Sequence, residues 1–177
     1  ICYSPQQVLD TAQKLYERKL TSYPRSDCDY LPLNQKKDGP KILANLGRIQ
    51  AGHLAQWVEG ADASIKSRAW NDSKITAHHA IIPTTVPCQF ERLTPLEQHI
   101  YYLIAQAYIA QFYPIHEYDQ TRIVIDAADE IFMAHGKVIT QMGWKELYRS
   151  EKHDDEDDKG ELPVVVKGDS VTYQKGT

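Results

Sequence analysis

The chain has 177 residues, 42% hydrophobic and 25% charged, with a formal net charge of -4, ordinary globular values that exclude wholesale disorder and allow one good core or two small ones. Seven acids against two lysines between Glu151 and Glu161 give a local balance of -5 and leave +1 elsewhere, so composition alone does not point to nucleic acid. Cys2, Cys28 and Cys88 are odd in number and lack Cys-x-x-Cys spacing, which argues against a disulfide scaffold or a zinc ribbon, and no apolar run or amino-terminal signal pattern suggests a membrane, leaving a reducing cytoplasm as the default.

Ser4-Pro5-Gln6-Gln7 reads as a helix start, with Ser4 as N-cap, Pro5 at the first helical position and Gln7 reaching back as a capping box. Val8, Leu9, Ala12, Leu15 and Tyr16 follow at helical spacing and form the expected inward stripe. Beyond it, Thr21-Ser22-Tyr23-Pro24-Arg25-Ser26-Asp27 should run extended, because Pro24 fixes its own φ and pushes Tyr23 out of helical angles. Period-2 geometry then turns Tyr23 and Arg25 toward one side.

A second helix is expected from residue 41 to about 54, with Ile42, Leu43, Leu46 and Ile49 inward. Residues 56–77 are more polar, interrupted by Trp57 and Trp70, and read as loop with a helical turn. Thr94-Pro95-Leu96-Glu97 is another capping box, opening a helix through Ile100, Leu103, Ile104, Ala107, Tyr108 and Phe112 that stops before Pro114. Residues 121–127, 131–135, 137–142 and 164–173 are short β-branched or alternating runs and read as an antiparallel meander. The expected class is therefore α+β, with a helical unit over 1–118 and a β-rich unit over 119–177.

The chemistry concentrates at Tyr23 and Arg25. A phenol can carry a covalent phosphoryl group, and a guanidinium is a planar, permanent cation suited to phosphate. A free tyrosine, with a pKa near 10, is ionised about one part in a thousand at neutral pH, so attack on a phosphodiester needs a base or strong charge stabilisation. Alone, a Tyr-Pro-Arg triplet is usually a loop with a solvent-facing arginine.

Its surroundings change that reading. From Gln13-Lys14-Leu15-Tyr16-Glu17 through Leu20 to Tyr23-Pro24-Arg25-Ser26-Asp27-Cys28, the stretch resembles the active-site signature of type IA DNA topoisomerases, and His78-His79-Ala80-Ile81-Ile82-Pro83-Thr84 resembles their second conserved segment, in the same order and at a similar separation. Weaker similarity continues through Gly143-Trp144 and Leu162-Pro163-Val164-Val165. The resemblance implies a winged-helix-like, catabolite-activator-type helical domain followed by part of the hinge or gate domain. It also implies that a metal-binding domain precedes this region and further sequence follows, making the chain a fragment of a bacterial, cytoplasmic, nucleoid-associated enzyme.

In the implied mechanism Tyr23 attacks single-stranded DNA to form a 5'-phosphotyrosine, Arg25 and His78 stabilise the phosphate, and no ATP is used. Mg2+ would be bound by the preceding domain, and no metal is expected within this chain. Ser26, Asp27, His79 and Thr84 are candidate DNA contacts. His79 stands at a position that varies in the family, and adjacent histidines point apart, so His78 and His79 do not form a metal pair. Arg68 and Lys74 read as ordinary surface charges, and the acid run Asp154–Asp158 as a solvated loop rather than a Mg2+ site. Expected partners are single-stranded DNA and the remaining domains, with no membrane. The alternatives are a winged-helix module that binds duplex DNA without catalysis and a nuclease that leaves no stable protein-DNA link.

Overall fold

The computed structural model describes residues 3–127, 129–149 and 162–170. They contain helices α1 (Pro5–Glu17), α2 (Gly39–Leu46), α3 (Leu54–Glu59) and α4 (Pro95–Ile109), several short 3-10 helices, and strands β1 (Glu117–Ala127) and β2 (Glu130–Gln141). The chain divides into two compact units, Ile1–Pro114 and Ile115–Thr177. The class is α+β, helices first and strands after. The acidic run and the end of the fourth expected strand, residues 171–173, lie outside the described residues.

In the first unit α1 packs against α4. Both helices begin with the capping boxes written in their sequences: Ser4 with Gln7, and Thr94 with Glu97, each with proline in the first turn. The far end of α1 is closed by a Schellman arrangement, in which the Leu20 amide donates to the Leu15 carbonyl and the Lys19 amide to that of Tyr16. Lys19 takes the left-handed conformation (φ 61°) that glycine usually fills, and Leu20 and Leu15, the positions where an apolar pair accompanies this motif, are both buried. This closure redirects the chain into the Tyr23 segment.

The helix expected over 41–54 is two helices. α2 stops at its C-cap Gly47, and Gly52, at φ 54°, turns the backbone before α3 starts at Leu54. The apolar period runs through a break that only the glycines mark. α3 also places regular helix at the head of the stretch read as loop. On α4 the buried stripe includes Tyr101, Ala105 and Ile109, while Leu103 is half exposed and Ala107 exposed. Tyr101 turns inward beside Cys88, and burial raises both its phenol pKa and that of the Cys88 thiol, the latter to about 11. Farther along, Tyr108 and Phe112 meet Trp70 edge-on and tilted, with ring centroids 6.4 and 6.0 Å away, and each other edge-on at 5.2 Å.

The meander is instead one antiparallel hairpin among the described residues. Runs 131–135 and 137–142 join in β2, paired with β1 in an unbroken register from Tyr118 to Ala127, in which Gly136 faces Thr121, with a register shift between Glu117 and Tyr118. Gly136 reads as punctuation in sequence, yet it simply occupies a ladder position. Of the fourth run, Val164 to Val166 are exposed and precede a turn at Lys167-Gly168, with Gly168 at φ 103° and the Asp169 carboxylate accepting from the Val166 amide. An Asx-type bond to the backbone replaces a ladder bond there.

The buried Glu97 carboxylate accepts from the Thr94 amide at 2.8 Å and from Arg18 at 3.3 Å, joining the last turn of α1 to the first of α4. The Thr94 backbone amide above all, then the Thr94 hydroxyl and Arg18, hold its pKa below the usual value against an opposing burial effect. A depressed carboxylate pKa stabilises the fold above the unfolded value, and this is lost as pH falls through the folded one. Glu97→Gln keeps an acceptor for the cap but loses the charge. It should cost about 1 kcal/mol at neutral pH, and the gap from wild type should close on acidification, as measured by urea unfolding across pH.

Candidate active site

Tyr23 lies just past the closure of α1, where the chain is tied to a segment some sixty residues later. Thr21 and Pro83 form an antiparallel bridge. The Ser22 amide donates to the Ile82 carbonyl (2.9 Å), the Ile82 amide returns a bond to Ser22 Oγ (2.9 Å), and Ser22 Oγ donates to the Ala80 carbonyl (3.3 Å). On the other side of the bridge the Thr84 amide donates to Leu20 and the Thr84 hydroxyl to Lys19. Buried Pro24 and Thr21 flank Tyr23 and anchor the strap from within.

This strap brings His78 to Tyr23. Their ring centroids are 4.7 Å apart at an interplanar angle of 36°. From the other direction Tyr16, on the last turn of α1, meets Tyr23 edge-on at 5.6 Å and 82°. Tyr16 was expected in the core; it is 40% exposed, and its contact is the Tyr23 ring. The Tyr23 hydroxyl makes no hydrogen bond with any described residue, so the phenol is fixed by its ring and left open at its reactive oxygen.

Arg25 is exposed, and its guanidinium makes no ion pair or hydrogen bond with any described residue. It is a cation available to an anion from solution. Asp27 is also exposed, whereas Ser26 accepts from the Cys28 amide in a local turn. The two histidines diverge, as adjacency requires. His79 Nδ1 donates to the Ala80 carbonyl at 2.8 Å, and its Nε2 pairs with the Gln35 side-chain amide at 3.1 Å. His79 and Thr84 therefore belong to a cavity behind the strap, and His78 to the face carrying Tyr23.

Two residues missed in the sequence matter here. In sequence Ser22 is simply one residue of the extended segment, yet it makes three of the bonds that hold the strap. Gln35 carried no signal at all, because its partner is 44 residues away. Arg68 and Lys74 are exposed, in keeping with surface charges. Among the described residues no group of three or more His, Cys, Asp or Glu side chains could hold a metal ion.

The family model described as DNA topoisomerase matches residues 2–177. DNA topoisomerase 3 of Vibrio cholerae serotype O1 is 42% identical over 167 residues, covering 93% of this chain and 26% of that protein. The protein of the same name from Salmonella typhimurium is 41% identical over 175 residues (98% and 26%), and that from Bacillus subtilis 36% over 179 residues (97% and 24%). The chain thus spans about a quarter of the length of the curated relatives it matches.

Ser22→Ala removes the acceptor of the Ile82 amide and should destabilise the first unit by about 1–3 kcal/mol, the usual cost of a buried donor left without its partner. It should also loosen the Tyr23–His78 stack, read as loss of ring-current shifts on both rings by NMR. His78→Ala, at an exposed position, should change stability by no more than about 0.5 kcal/mol.

Proposed function

The chain belongs to the DNA topoisomerase family, and on that premise we propose that it is the tyrosine-bearing portion of a longer type IA enzyme, closest to the topoisomerase III branch. The observation that carries this reading is the open Tyr23 hydroxyl, with its ring held between Tyr16 and His78 and the free Arg25 guanidinium two residues on. In the proposed reaction Tyr23 Oη attacks phosphorus in a single strand. The bond from phosphorus to the 3'-oxygen breaks, the phenol gives up its proton, and the departing strand end gains one as a 3'-hydroxyl. One phosphodiester replaces another, so the reverse reaction reseals the strand without ATP. That balance suits strand passage, relaxation and decatenation.

Arg25 neutralises charge on the phosphate as the new bond forms, and His78 holds the phenol ring and lies close enough to share that task. Ser26, Asp27, His79 and Thr84 would meet the DNA backbone around the cut. Mg2+, expected from the family, does not find a cluster of ligands among the described residues, so no step above passes through it. The compact units Ile1–Pro114 and Ile115–Thr177 support assigning the helical part to the winged-helix-like tyrosine domain and the hairpin to the gate. The partners on this reading are single-stranded DNA and the rest of the parent enzyme. The compartment is the bacterial cytoplasm, at the nucleoid; among the described residues no helix is long and apolar enough to cross a membrane.

Fluorescence anisotropy with single-stranded and duplex oligonucleotides tests the reading. The chain should bind single strands weakly, without strong dependence on duplex sequence, and should not relax supercoiled plasmid by itself. Tight binding to one duplex sequence would favour the duplex-binding module instead, and relaxation by this chain alone would contradict the proposed division of the enzyme. In the full-length parent, Arg25→Ala and His78→Ala should each slow cleavage by about a hundredfold while single-strand binding changes far less, the pattern of lost charge stabilisation at the reacting phosphate.

A further inference from the structure

The strap fixes the backbone of residue 23 from both sides, through Thr21 and Ser22 before it and buried Pro24 after it. What it leaves free is the phenol itself, which turns about two side-chain bonds, the second of them only broadly confined by its own torsional wells. At the tip of that side chain is the oxygen that must meet phosphorus. Two rings restrict it, and they are not equivalent.

His78 is exposed and lies on a segment without regular structure. Tyr16 stands on the last turn of α1, where the Lys19 amide donates to its carbonyl at 2.8 Å, its neighbour Leu15 is fully buried, and Arg18 pairs with Glu97 of α4 at 3.3 Å. A ring carried by a helix end anchored in this way is a firmer stop than one carried by a loop. The Tyr16 hydroxyl makes no hydrogen bond with any described residue, and the residue is exposed. Its ring meets that of Tyr23 edge-on, at 5.6 Å and 82°.

We propose that Tyr16 is a positioning residue for strand cleavage and rejoining. Its ring, held by the end of α1, limits the swing of the Tyr23 ring and keeps Oη in line with phosphorus, as a phenol before attack and as the phosphotyrosyl group afterwards. Tyr16 acts through Tyr23 alone, and the proposal rests on the reading of Tyr23 as the nucleophile. Attack and resealing pass through the same transition state in opposite directions. A stop that confines the ring in both the free and the linked form therefore changes both rates by one factor, and leaves the balance between intact and cleaved strand where it was. An aromatic pair sets a population ratio of roughly two- to tenfold, and an ångström of misplacement at a reacting atom costs up to about a hundredfold.

Single-turnover cleavage of a labelled single-stranded oligonucleotide by the full-length parent separates rate constant from amplitude, for wild type, Tyr16→Phe and Tyr16→Leu. Rejoining is timed on the same adducts after transfer to salt that prevents fresh binding. Tyr16→Leu keeps an apolar helix former at an exposed site, so its thermal melt and single-strand binding should stay as in wild type. Both its rate constants should fall about tenfold with the fraction of strand finally cleaved unchanged, while Tyr16→Phe, which keeps the ring, should match wild type. A structural role alone would lower the melt or the amplitude and leave the rate constants of the folded molecules untouched, and that result would overturn the proposal. So would wild-type rates in Tyr16→Leu, or a Tyr16→Phe enzyme as slow as Tyr16→Leu, which would put the effect in the hydroxyl. A wild-type enzyme that forms no adduct would defeat the nucleophile reading itself and the role of Tyr16 with it.

Discussion

Ser22 grips residue 82 twice, through its own amide to the Ile82 carbonyl and through its hydroxyl from the Ile82 amide. Two amides and a hydroxyl thus join segments sixty residues apart, where no regular sheet exists to do so. The bridge from Thr21 to Pro83 and the bonds from Thr84 back to Leu20 and Lys19 continue the same strap. Its placement depends on the end of α1, where Lys19 accepts a left-handed backbone so that the chain can leave the helix at the required angle. Everything that makes Tyr23 unusual follows from this attachment: the ring of His78 on one side, the edge of Tyr16 on the other, and a hydroxyl left without a described partner.

Local signals in the chain were legible because their partners are local. The capping boxes at Ser4 and Thr94 involve residues three apart and appear in the structure as written. Proline next to Tyr23 excludes helix there for a steric reason that needs no tertiary context. The turn from helices to strands was equally visible, since the hydrophobic period changes from that of helices to that of strands after Pro114. Where punctuation depends on surroundings, the reading failed. The helix ends at Gly47 and Gly52 turns the chain at a positive φ before α3, whereas Gly136, which looks just as disruptive, is accommodated inside β2 opposite Thr121. On α4 the period was right and the facing side partly wrong, because Tyr101 has company in Cys88 that spacing cannot reveal.

The site divides the same way. Tyr23, Arg25 and His78 could be named from short motifs and a family resemblance, but nothing local says that the Tyr23 and His78 rings stack while Arg25 projects alone into solvent. Ser22, Tyr16 and Gln35 act only through partners far along the chain or around a helix turn. The electrostatic picture is likewise local rather than global. A chain with a net charge of -4 presents no broad positive field, yet two residues beyond its open phenol stands an exposed guanidinium with no partner among the described residues. Phosphate suits that cation.

The claim on which the rest depends is that Tyr23 is a nucleophile toward DNA. Covalent capture tests it most directly: the full-length parent is mixed with a single-stranded oligonucleotide labelled at either end, denatured, and compared with Tyr23→Phe. Label from the 3' side of the break should remain on the protein, and Tyr23→Phe should abolish it. DNA binding without an adduct, or an adduct that survives loss of the Tyr23 hydroxyl, would contradict the claim.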